Sequence, residues 1–293
     1  MAGFNKIEAV LHMTLESLSN GDKVEFEDAW FDEAAEEFKA ALIKQLRPEP
    51  REFKLRSSNL GRPLCQLQME KNGAPKARMP YNHIVRMMIG DATEVMMNLF
   101  LKAAKVNVTD SKVVSTIDVN GTTVRGENDI EIDNKVYDIK SSSPYSFTHK
   151  WERGWNGVYE GDTFGYAAQL YSYAKGDPAR MGGWIVVEKS SGEVKVVPAE
   201  PTATQLEELA KLISDNERAI TEDRPFERKF EAEAETYYRK ETGNIVIPVT
   251  CTFCSYITTC WPEARLVSNP SSKAKAPVPK WYLKLAEKTD EST

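Results

Sequence analysis

The chain has 293 residues, 41% hydrophobic and 28% charged, which supplies apolar material for a full core and excludes a disordered tail. No apolar stretch approaches the roughly 18 residues that a membrane span needs, and no basic-then-apolar leader opens the sequence, so a cytoplasmic protein with no membrane partner is expected. The formal charge of -6 gives no overall reason to expect nucleic acid, but residues 1–50 hold 11 acids against 5 bases while the remaining 243 balance at 33 each, leaving room for a local basic groove.

Phe4, Ile7, Leu11, Leu15 and Leu18 recur at helical spacing, as do Trp30, Ala34, Phe38 and Leu42, with Asn20-Gly21 between them. Residues 1–50 are therefore expected to form an acidic helical extension, a packing hairpin or a docking module for a protein partner. Pro48 and Pro50 open a linker. Ser57-Ser58 offers an N-cap for a helix through Glu70, stopped by Asn72-Gly73-Ala74-Pro75, and a long helix is expected from about Tyr81 to Ala104. Strands follow at 112–118, 122–133 and 135–141, with turns at Asn120-Gly121 and Asp133-Asn134. An aromatic loop leads to a helix over 164–175, strands at 183–188 and 193–197, a helix over 202–222, and a charged stretch that reads as helical before Cys251. The Pro/Ser/Lys-rich residues 267–293 read as a loosely ordered tail, leaving 51–266 as the body.

Within the strand pair, Gly126-Glu127-Asn128-Asp129 is followed by Val136-Tyr137-Asp138-Ile139-Lys140-Ser141. Residues two apart on a strand share a face, so Asp138 and Lys140 project together and Asp129 can face them from the preceding strand. Hard oxygen ligands of this kind suit Mg2+ or Mn2+, with the Ile139 carbonyl as a further ligand, and a bound cation of this kind can activate water against a phosphodiester. The bland alternative is a solvated strand face. Glu94 on the long helix adds a third carboxylate, and Gln169 and Tyr173 stand one helical turn apart.

Cys251-x2-Cys254-x5-Cys260 is tight enough for three thiolates to share a centre, with Cys65 as a fourth ligand. An iron–sulfur cluster, a zinc site and plain core thiols all remain open on spacing alone. Between Lys140 and Gln169 the chain interleaves rings with cations. Lys150, Trp151, Arg153 and Trp155 suit a channel that stacks single-stranded bases, or the rings pack in the core.

In order and spacing, Glu94, Gly126 to Asp129, Asp138-Ile139-Lys140 and Gln169-Leu170-Tyr171-Ser172-Tyr173 resemble the motifs of PD-(D/E)XK nucleases of the RecB-like branch. The one-plus-three cysteine layout is similar to that of its iron–sulfur members: CRISPR-associated RecB-like exonucleases, AddB nucleases and bacteriophage exonucleases. Arg56-Ser57-Ser58, Leu60-Gly61, Phe164-Gly165-Tyr166, Thr242-Gly243-Asn244 and Cys260-Trp261-Pro262 look most like the phage enzymes. The match covers about 56–262. It implies a restriction-endonuclease-like α/β core, a central mixed sheet flanked by helices, with an iron–sulfur staple. It further implies Glu94, Asp129 and Asp138 on Mg2+ or Mn2+, Lys140 assisting the nucleophile, Gln169 and Tyr173 supporting the site, and a [4Fe-4S] cluster on Cys65, Cys251, Cys254 and Cys260. The implied activity is exonucleolytic hydrolysis of DNA, as single strands or duplex ends, in phage-type replication, recombination or degradation, within the host cytoplasm if phage-encoded. A non-catalytic DNA-binding adaptor on the same fold, or an endonuclease, is the alternative. Two departures from the pattern stand out: many relatives carry His where Glu94 stands, and Asn128 replaces the loose proline before the first acid.

Overall fold

The computed structural model describes residues 5–50 and 52–286. Its helices are α1 (Lys6–Ser19), α2 (Asp28–Leu46), α3 (Ser57–Leu60), α4 (Leu64–Lys71), α5 (His83–Ala103), α6 (Pro144–His149), α7 (Gly154–Tyr159), α8 (Tyr166–Tyr173), α9 (Ala203–Thr221), α10 (Val249–Thr252) and α11 (Ile257–Cys260). The strands are β1 (Val108–Ser111), β2 (Val114–Val119), β3 (Thr122–Glu127), β4 (Ile130–Ile132), β5 (Lys135–Ser142), β6 (Met181–Glu188), β7 (Val194–Pro198), β8 (Glu233–Tyr237), β9 (Lys240–Val246), β10 (Arg265–Ser268) and β11 (Pro279–Lys284). The chain forms two compact units, the first drawing its described residues from 1–62 and 80–222, the second from 63–79 and 223–293.

The first unit is mixed α/β, with a five-stranded sheet of order β1-β4-β5-β6-β7 flanked by helices. Only β5 and β6 run parallel, so the sheet is mixed. Strand alternation assigns the faces: Trp184 and Val186 join Leu60, Leu170 and Tyr173 in one apolar cluster, whereas Ile139 and Ile185 join Leu11, Met97 and Leu101 in the other. The expected turns sit where side chains tolerate positive φ, at Asn120 (53°) with Gly121 (86°) and at Asp133 (50°) with Asn134 (62°), the geometry of two-residue hairpins. Thr202 and Gln205 cap α9 reciprocally, and the Asn5 side chain caps α1.

Three expectations need correction here. The N-terminal helices are no appendage, because Leu11 is fully buried and α1 is tied to β7: the Val196 N–H donates to Glu8 Oε2 at 2.6 Å, and His12 Nε2 lies 2.6 Å from the Val194 carbonyl. The helix expected from Leu60 to Glu70 starts later, as α4 at Leu64, because a separate short helix, α3, ends at Leu60 and the chain breaks at Gly61-Arg62-Pro63, where a Cβ on Gly61 would stand 2.4 Å from Ala168 Cβ. The strand expected over 122–133 is also two. Its first half pairs with β2 as a separate ribbon, and the chain turns at Asn128-Asp129 before entering the main sheet as β4.

The second unit contains an antiparallel sheet of order β10-β11-β9-β8 and a small core around Ile247, Cys251, Ile257 and Trp261. The charged stretch read as helical is the β8–β9 hairpin, turned by Tyr238 (φ 48°) and Arg239 (φ 64°), residues that carry no turn signal. The tail read as loose supplies β11 and the last two residues of β10, and Tyr282 is buried; its residues 287–293 lie outside the described part. Glu235, only 3% exposed, organises this sheet by accepting from Thr242, Asn244, Lys280 and Tyr282 at 2.8–2.9 Å. Burial alone would raise its pKa, but these donors pull it down to about 2. Among the described residues no helix is long and apolar enough to cross a membrane.

Two expected outcomes follow. Leu11→Ala removes a fully buried side chain under the sheet and should cost about 2–5 kcal/mol in denaturant unfolding; an unchanged midpoint would restore the appendage view. Because Glu235 ionises more readily folded than unfolded, its contribution is complete above its ordinary value near 4.5 and is lost as pH falls toward 2. Glu235→Gln should therefore flatten the acid limb of a stability–pH profile over that window, measured by thermal melts.

Candidate active site

Asp138 and Lys140 stand two apart on β5, beside Trp184 and Val186 of the parallel β6. The chain reaches Asp129 through a built corner. Buried Asn128 accepts from the Val113 N–H at 3.2 Å and donates to Glu131 at 3.1 Å, while its own N–H bonds the Val113 carbonyl. Asp129 then accepts from the Ile139 N–H at 2.7 Å, which locks the corner onto β5 between the two catalytic candidates. The Ile139 side chain lies in the core, as expected. The preceding Gly126 is obligatory: a Cβ there would fall 2.3 Å from Ser57 Oγ and 2.6 Å from the Tyr173 ring.

The electrostatics show how closely the carboxylates are gathered. Burial pushes Glu94 up to about 7, with Lys140 opposing and Asp138 and Asp91 adding. Burial also raises Asp129 well above the usual range, reinforced by Asp138 and Glu94. Burial opposes the charge on Lys140, but Asp138 and Asp129 outweigh it and push the ammonium upward, favouring the charged form. Asp138 is 1% exposed and ion-paired with Lys140, yet neither of its oxygens receives an aligned hydrogen bond. A buried carboxylate with an unused lone pair, two further acids beside it and one lysine in direct contact is the donor chemistry a hard divalent cation satisfies. Among the described residues no three acidic, histidine or cysteine side chains already form a closed ligand cage.

Gln169 donates to Tyr173 Oη at 2.8 Å, fixing that pair beside the carboxylates, and burial with the Asp138 charge raises the Tyr173 phenol. Ser172 donates to Ser57 at 2.9 Å, which pins α3 to α8. Tyr166 was not singled out by the sequence for a role in the site. Its ring lies 5.3 Å from the Lys140 ammonium and 4.6 Å from that of Lys150, so two cations share one aromatic. Its sequence signals were its place in Phe164-Gly165-Tyr166 and among the rings that interleave with cations between Lys140 and Gln169.

The proposed stacking residues are divided by the structure. Trp151 and Trp155 are each 3% exposed and pack on Trp184, with the Trp155 indole donating to Gln205 at 2.9 Å, so neither ring can receive a base; both belong to the core. Arg153 is exposed and pairs with Glu160 at 2.8 Å. Lys150 adjoins the carboxylate site through Tyr166, on which Trp151 also stacks at 5.8 Å, and has Asp162 at 3.9 Å. The exposed rings of this region are Tyr145 and Phe164.

In the second unit the four cysteines are free of disulfides. Burial raises the Cys251 thiol to about 11, the Trp261 indole beside it counteracts, and Cys260, Cys65 and Cys254 add to the rise, so Cys251 lies within the field of each of the other three. The Tyr256 N–H approaches Cys254 Sγ at 3.5 Å. Arg228 donates to the Cys260 carbonyl and stacks on Trp261 at 3.8 Å. Four soft donors gathered from two distant chain segments fit a metal or iron–sulfur centre in chemical kind.

No family model matches the chain, and no curated protein does. Among solved structures, the crystal structure of SSO0001 is similar at a TM-score of 0.40 and 13% identity, over 75% of this chain and 91% of that one.

Gly126→Ala should cost about 1–3 kcal/mol by overpacking Ser57 and Tyr173. Chemical denaturation would register it; an unaltered midpoint would mean that this corner is not tightly packed.

Proposed function

We propose that the chain is a metal-dependent DNA exonuclease of PD-(D/E)XK type, in the RecB-like iron–sulfur branch. The observation that carries this reading is the buried set of Glu94, Asp129, Asp138 and Lys140, assembled from a helix, a corner and one strand, with Asp138 Oδ2 held by Lys140 and its Oδ1 without a hydrogen-bond partner. Such a concentration of like charge is costly to stability and is characteristic of sites that perform chemistry.

In this reading Glu94, Asp129 and Asp138 hold Mg2+ or Mn2+, which when bound supplies Lewis acidity toward the phosphodiester and favours hydroxide over water. Lys140 keeps its proton and offers a fixed positive charge to the phosphate as negative charge builds in the transition state. Tyr166 braces Lys140 from its ring face, and the Gln169–Tyr173 pair fixes the wall against Asp138. Lys150 contributes positive charge to the incoming nucleic-acid backbone. Cys65, Cys251, Cys254 and Cys260 hold a [4Fe-4S] cluster that staples the 63–79 segment to the C-terminal segment.

The test is cleavage of end-labelled DNA, single- and double-stranded, linear and circular, with Mg2+, Mn2+ or EDTA. Metal-dependent loss of linear but not circular DNA is expected, with activity reduced at least about 1,000-fold in Lys140→Ala and Asp138→Asn while both variants remain folded. Turnover retained in both variants would refute the site. DNA binding without cleavage in the wild type would favour the adaptor. For the cluster, anaerobically purified protein should be brown and Cys254→Ala should be colourless and less stable; a colourless, zinc-loaded wild type would contradict it.

A further inference from the structure

Helices α2 and α5 pack antiparallel, as shown by Lys102 paired with Glu33 at one end and Gln45 donating to Asp91 at 2.8 Å toward the other. The residues between them include Trp30, Ala34 and Glu37 from α2 and Val95, Asn98 and Lys102 from α5. Each helix carries a second apolar seam one residue further along, hence rotated by about 100° in the same sense. On α2 this seam is Phe31, Ala35, Phe38 and Leu42, spaced four, three and four; on α5 it is Val85, Ile89, Ala92 and Met96, with the same spacing. Equal rotation on antiparallel neighbours places both seams on one side of the pair. That side is open: Phe31 is 49% exposed, Phe38 39%, Val85 53% and Met96 47%.

Four-three-four spacing is the heptad pattern of helices that pack against other helices. On α2 it is also complementary to itself. Turned antiparallel to its own copy, the seam can be placed so that Phe31 faces Leu42 of the copy and Ala35 faces Phe38, large against small in the two central layers and apolar against apolar in the outer two. The same register sets Asp32, which flanks the seam, alongside Lys39 of the copy, and does so twice by symmetry. Among the described residues Lys39 pairs with Glu36 at 3.2 Å, an exposed contact that holds it weakly. A 19-residue helix is roughly 28 Å long, and two such helices side by side offer an area on the scale of the ~800 Å2 per partner of standard interfaces.

We infer that the exposed α2–α5 face is a homodimer interface: a second copy of this chain docks on it through antiparallel α2 helices, with Phe38 at the centre and Asp32–Lys39 pairs on the flank. This stands independently of the nuclease reading, since none of these residues belongs to the carboxylate site.

Sedimentation velocity of the full chain across a micromolar concentration series tests it. The wild type is expected to dimerise and Phe38→Glu to be monomeric with an unchanged thermal melt. Asp32→Lys and Lys39→Asp should each weaken the dimer about tenfold, and the double exchange Asp32→Lys/Lys39→Asp should restore it, a rescue that general surface damage would not produce. A wild type monomeric at every concentration, a dimer that survives Phe38→Glu, or a double exchange no better than the single ones would each overturn the interface.

Discussion

Three carboxylates and one ammonium share a poorly solvated space at the middle of β5, and the first unit is built around tolerating that arrangement. Asp138 is buried with its Oδ1 short of a hydrogen-bond partner, Glu94 and Asp129 are pushed toward protonation, and Lys140 is held charged by its neighbours. A fold selected for stability alone would place apolar side chains there, because the attraction of one lysine does not offset the desolvation of three acids. Each acid raises the others' affinity for a proton, and a divalent cation bound among them would take the proton's place.

Everything around the pocket fixes the positions of those groups. The Asn128 corner brings Asp129 out of the β2–β3 ribbon and onto the Ile139 N–H; Gly126 lets α3 and Tyr173 close against that corner; α5 supplies Glu94 from the opposite side of the sheet. The first cluster, centred on Trp184, supports α8 and thereby Gln169, Tyr173 and Tyr166. Trp151 and Trp155 act through this packing and not through contact with a ligand.

The parts of this arrangement that are local in sequence were legible before the structure. The hairpin turns followed from Asn-Gly and Asp-Asn, the shared face of Asp138 and Lys140 from strand alternation, and the Gln169–Tyr173 pair from helical spacing. What escaped depended on tertiary partners. Trp151 and Trp155 sit among polar and Gly residues and carry no apolar period, so nothing local announced that Trp184 would bury them. The amphipathic α1 reads the same whether it packs on itself or on β7, and only the contacts of Glu8 and His12 with that strand decide the matter. In the second unit, the Tyr238-Arg239 turn lacks the residues that mark a hairpin, and the dense acids of β8 look helical until Glu235 is seen to gather donors across the sheet.

The unit that holds the four thiols has a small core of its own, in which Cys251 is itself a buried member. Thiolates there would be costly without a bound centre to carry their charge, just as the carboxylates of the first unit are costly without a cation. Both arrangements make the same demand, and the carboxylate one can be measured directly. Binding of Mn2+ to the chain, followed by calorimetry and by loss of the free-ion spin-resonance signal, should saturate in the wild type and disappear in Asp138→Asn with the fold intact. Equal Mn2+ uptake by both proteins would contradict the assignment of the buried carboxylates as the metal site.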